Sequence, residues 1–143
     1  MKTIRLRTHC LVSALLFLML TSLSAQAQNA DDFLSQLHSF RVSNYVSLDA
    51  YYRFIGSGTN DTLNEIVAGI NTANESMNLL AESTSGILTN AQIEGLNSEF
   101  DKFKALMRDN INDVRNTGYP DLRLVSDMAN QALIMNDTAT ELY

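Results

Sequence analysis

Five side chains near the start of the first amphipathic stretch carry the most chemistry in this chain: His38, Arg41, Asn44, Tyr45 and Tyr52. Positions three, four and seven apart share a helix face. On a helix these five lie along one edge of an apolar line formed by Phe33, Leu37, Phe40, Leu48, Tyr51 and Ile55, and Arg41 and Asn44 interrupt the line itself. A buried guanidinium has to be paired, because an unpaired buried charge is very costly. Two arrangements meet that demand. Arg41 forks onto a small bound carboxylate that Asn44, Tyr45 and His38 orient, with Tyr52 on the same edge. Alternatively, Arg41 runs its stem past apolar neighbours and pairs with an acid of the adjacent helix.

Other chemistry finds little support. A histidine ligand needs partners, yet the remaining histidine and the single cysteine, His9 and Cys10, both precede Ala27. No C-x-x-C-H motif is present for covalent haem. No Gly-rich phosphate loop, nucleophile elbow or pocket-like pair of carboxylates occurs. The expectation is a binding protein with no catalytic residue, no metal and no cofactor. The chain has 10 basic and 16 acidic residues, and three of the basic ones (Lys2, Arg5, Arg7) come before residue 28, so residues 28–143 carry a net −9. Such a surface repels phosphate backbones, so no nucleic-acid partner is expected.

The elements that must position these residues begin after a leader. Its basic start is followed by an apolar run from Leu11 to Leu20 and by Ala25-Gln26-Ala27, an A-x-A site of the kind signal peptidases cut. We read residues 1–27 as a cleaved signal peptide and residues 28–143 as one domain, exported to the periplasm or secreted. The run is about half of the roughly 20 residues a spanning helix needs, so membrane contact is expected only if the leader is retained.

Residues 28–143 show four amphipathic segments and no alternating strand pattern. The first runs from about Asp31 to Ile55 and stops at Gly56-Ser57-Gly58. The second is capped by Asp61 or Thr62 and carries Leu63, Ile66, Ile70, Ala73, Met77 and Leu80. The third carries Ile93, Leu96, Phe100, Phe103, Met107, Ile111 and Val114, a clean coiled-coil-like heptad, and stops at Asn116 to Pro120. The fourth starts at Asp121 and carries Val125, Met128, Ala132, Met135, Ala139 and Leu142. Short connections favour antiparallel neighbours, so the expected fold is all-α, an up-down-up-down antiparallel four-helix bundle. The fourth pattern reaches Tyr143 with no glycine or proline stop. Either that helix frays at its end or the chain continues into a longer receptor.

Three features point outward. Leu124, Leu133 and Ile134, with Leu122, lie outside the stripe of the fourth segment and suggest an interface with a protein partner or a second copy. Asn64, Asn71 and Asn78 recur every seven residues beside Asn74, as a polar seam, a ligand groove or a solvated face. Lys104, Arg108 and Arg115 form a basic edge on the third segment, opposite a stretch from Arg53 to Lys102 that holds seven acids and no intervening base.

Leu88-Thr89-Asn90-Ala91-Gln92 resembles the L-T-x-x-Q motif of small periplasmic stress chaperones. Those proteins carry it twice and are basic; this chain carries it once and is acidic. Thr89 followed by Gln92 also reads as a capping box that opens the third helix. The reading is an exported helical-bundle interaction module, sensor- or adaptor-like. A periplasmic small-anion binder using Arg41, or a chaperone-like protein, is the alternative.

Overall fold

The structure is a computed structural model that describes the backbone of residues 2–83 and 89–142 and the side chains of 28–82 and 89–142. The leader's side chains lie outside the described residues, so the signal-peptide reading is not addressed there. The described residues form four helices, α1 (Lys2–Ser57), α2 (Asn60–Ser83), α3 (Asn90–Thr117) and α4 (Leu122–Thr140), and no strand. The chain divides into two units, Met1–Asp32 and Phe33–Tyr143. The second is a helical bundle.

Local chemistry explains where the helices end. α1 stops at Gly58, whose φ of +62° only glycine adopts freely and whose N–H returns to the Phe54 carbonyl. α3 closes in the same way at Gly118 (φ +80°), with its N–H on the Val114 carbonyl. At the start of α3, Gln92 Oε1 accepts from the Thr89 backbone N–H at 3.0 Å. Asp121 caps α4 by accepting from the Arg123 N–H at 2.8 Å.

All four helices contribute to one core. Phe33, Leu37, Phe40 and Tyr51 of α1, Ile66, Ala73, Met77 and Leu80 of α2, Ile93, Leu96, Phe100, Phe103 and Met107 of α3, Met128, Met135 and Ala139 of α4, and Leu142 just beyond it are buried as the periodicity predicts. Leu48, Ile55, Leu63, Ile70, Ile111, Val114, Val125 and Ala132 are only partly buried against it. Ala50 and Phe54, which the α1 line omits, are buried. Phe40 meets Phe100 edge to face, with centroids 5.2 Å apart.

Polar contacts fix the pairings. Ser76 of α2 donates to Ser39 of α1, and Arg53 of α1 pairs with Glu65 of α2 at 2.5 Å. Lys104 of α3 donates to Asn74 of α2. Gln131 of α4 donates to both the backbone carbonyl and Oε2 of Glu99 on α3. Arg41 of α1 donates to Asn136 of α4.

Candidate functional site

Helices α1 and α4 enclose the pocket nearest to the five chemistry-bearing residues. Phe40, Arg41, Asn44, Tyr45 and Leu48 line one side, and Ala132, Met135 and Asn136 the other, around about 10 Å³. Three of the five therefore come together: Arg41, Asn44 and Tyr45. His38 is exposed and Tyr52 is largely so, and neither lines the pocket.

Inside it, Arg41 Nε donates to Asn136 Oδ1 of α4 at 2.8 Å. Asn44 is buried and turns its Nδ2 to the Phe40 carbonyl one turn back at 2.9 Å. Its Oδ1 is a buried acceptor with no hydrogen-bond partner. The volume suits one water-sized donor. A carboxylate, by contrast, would bring acceptors to a place whose unsatisfied atom is itself an acceptor.

A larger groove of about 250 Å³ lies between α2 and α3. Ile66, Val67, Ile70, Met107 and Ile111 make its apolar lining; Asn71, Lys104, Arg108 and Asn112 make its polar one. Asn71 of the asparagine seam reaches this groove, whereas Asn64 and Asn78 are simply exposed. Lys104 is already committed, with Nζ 2.8 Å from Asp101 Oδ1 and 4.4 Å above the Phe100 ring. No group of His, Cys, Asp and Glu among the described residues is arranged to hold a metal.

The third feature is a surface. On α4, Leu122 is 78 %, Leu133 59 % and Ile134 50 % exposed. Leu124 differs from them. It is half-buried, and its carbonyl accepts from Asn110 Nδ2 at 3.0 Å. Tyr45 (50 % exposed) stands on the α1 shoulder facing α4.

Sequence reasoning missed the best-formed polar cluster. Tyr51 donates its hydroxyl to Asn110 Oδ1 at 2.9 Å, and Asn110 Nδ2 donates to the carbonyls of Leu106 and Leu124. One amide thus ties α1, α3 and α4 together in the core. The available signal was spacing: Leu96, Phe103 and Asn110 are seven residues apart, which places the asparagine on the core stripe. Burial pushes the Tyr51 hydroxyl up to about 12, with smaller contributions from Tyr52 and Asp113. Glu99 is held below the usual carboxylate range by its bonds from Lys102 and then Gln131. Among the residues whose side chains are described no helix is long and apolar enough to cross a membrane; the Leu11–Leu20 run is not among them.

Compared with family models, with curated proteins and with solved structures, the chain matches none. Its function therefore has to be argued from its own residues. The five-residue chaperone-like motif adds little, since Leu88 falls outside the described residues and Thr89 with Gln92 serves the start of α3.

Proposed function

We propose that this chain is an exported up-down-up-down four-helix bundle that works by binding protein, a second copy of itself first, through the outer face of α4, and that it does no catalysis. The observation that carries the reading is the exposure of Leu122, Leu133 and Ile134 on α4, at 50–78 %, in a chain whose α1 also exposes Val42, Tyr45, Val46 and Tyr52 at 45–50 %. The pairings support the topology. Ser39 with Ser76 and Arg53 with Glu65, Asn110 with Leu124 and Glu99 with Gln131, all run in opposite senses along neighbouring helices. Export rests on the basic start, apolar run and A-x-A site of the leader.

The anion reading has less behind it. Arg41 is engaged with Asn136, and the pocket has room for little more than one water.

Light scattering on the protein isolated from the soluble envelope extract tests the reading. Salt at about 0.15 M already screens exposed charges beyond roughly 8 Å, so a dimer held by apolar contact persists or strengthens as salt rises. Ile134→Glu should weaken it. A monomer at high micromolar concentration and at every salt level overturns self-association.

A further inference from the structure

We propose that two copies seat α4 antiparallel on α4, about a two-fold axis at Asn130, so that Arg123 of each copy pairs with Asp137 of the other. This rests on the self-association reading above and specifies its geometry.

Arg123, Asn130 and Asp137 are spaced seven residues apart on α4, and all three are exposed. Two heptads advance a helix by about 21 Å and turn it by only about 40°, so the three form one outer stripe. Asn130 is its midpoint. Parallel packing of this stripe on itself sets arginine against arginine and aspartate against aspartate. Antiparallel packing centred on Asn130 sets each arginine against an aspartate, and two-fold symmetry yields both pairs from one contact. Among the described residues neither Arg123 nor Asp137 takes part in an ion pair within the chain.

The rest of the stripe is consistent with that register. Asn130 meets its own copy, and an amide is self-complementary because it both donates and accepts. In that register Leu133 of each copy lies opposite Asp127 of the other, and Ile134 opposite Ser126. Two bodies of net −9 repel as wholes, so a self-contact needs a local alternation of charge, and this stripe supplies one.

Sedimentation measurements on the exported protein and on Arg123→Asp, Asp137→Arg and the double swap decide the matter. Both positions are exposed, and each swap places the favoured sign of charge at its end of α4 with respect to the helix dipole, so neither threatens the fold. At about 0.15 M salt each single swap should raise the dissociation constant by about tenfold or more, since it creates two like-charge contacts. The double swap should restore it, and the difference should shrink as salt rises. Asp137→Arg is the critical variant, because it lowers the net repulsion and is still expected to weaken the dimer. If it tightens the dimer, bulk charge governs association and the register falls. A dimer indifferent to all three variants overturns the register but leaves self-association standing. A monomeric parent protein overturns both.

Discussion

At the scale of single residues, the core is held in register by an asparagine rather than by packing alone. Asn110 has its oxygen on Tyr51 and its amide on two carbonyls, so its capacity is well used. Removing the phenol hydroxyl orphans a buried acceptor, which costs about 1–3 kcal/mol, more than the net value of the bond. Tyr51→Phe should therefore lower the unfolding free energy by that amount in a denaturant titration. The same hydroxyl has a pH signature. Its pKa is raised in the folded state to about 12, so its contribution is fully present below the ordinary tyrosine value and is lost as pH rises through about 12. The ultraviolet difference between the parent protein and Tyr51→Phe should show one phenol ionising near that point. Glu99 works in the opposite direction. Its lowered pKa stabilises the fold above the ordinary glutamate value, and that support is lost as pH falls through the depressed one. Tyr51 was legible as a core position, whereas Asn110 was not, because hydrophobic periodicity scores an amide as a gap in the stripe. Arg41 was legible as a side chain that needs a partner. Which partner it takes depends on the register of α1 against α4, and local spacing does not carry that information.

At the scale of helices, most ends and the apolar stripes were readable, but α2 starts at Asn60, with Thr59 rather than Asp61 or Thr62 accepting from the Thr62 N–H, and one close helix contact was not foreseen. Gly58, Gly118 and Asp121 stand where turn and cap chemistry places them. The α1–α2 contact uses small residues that a hydrophobicity pattern passes over. Gly69 of α2 packs against Ser43 and Ser47 of α1: an added Cβ would overlap Ser47 Oγ and come within 3.0 Å of the Ser43 carbonyl oxygen. Ser47 Oγ is itself bound to that carbonyl at 2.8 Å. Gly95 of α3 is the natural comparison, because a Cβ there meets nothing within 4 Å. Alanine is the better helix former by about 1 kcal/mol at either position. Gly95→Ala should thus raise the melting temperature. Gly69→Ala should lower it, because overpacking at about 1–3 kcal/mol outweighs the propensity gain. Melting curves that move the same way for both variants would show that α1 and α2 are not in close contact at Gly69.

At the scale of the whole molecule, the self-association proposed above would link folding to protein concentration through the exposed face of α4. Residues 28–143 carry a net −9, a charge that opposes nonspecific clustering around the exposed Leu133 and Ile134. If the folded chain alone forms the α4 contact, dimerisation stabilises it by mass action, and the melting temperature becomes dependent on protein concentration. The parent protein should melt at a higher temperature as its concentration rises from low to high micromolar. Ile134→Glu should remove that dependence and leave the low-concentration melting point close to the parent's, because a half-exposed position costs the monomer little. Export belongs to the same scale. The purified species should begin at or within a few residues of Gln28 by mass spectrometry, and a membrane-embedded product starting at Met1 would overturn that. The two measurements bear on each other. A retained leader would bring its own apolar run to any assembly, so concentration-dependent melting counts toward the α4 face only in protein whose mass shows the leader gone. In that form, a melting point unchanged across the concentration range would assign the exposed α4 face to a partner of different sequence.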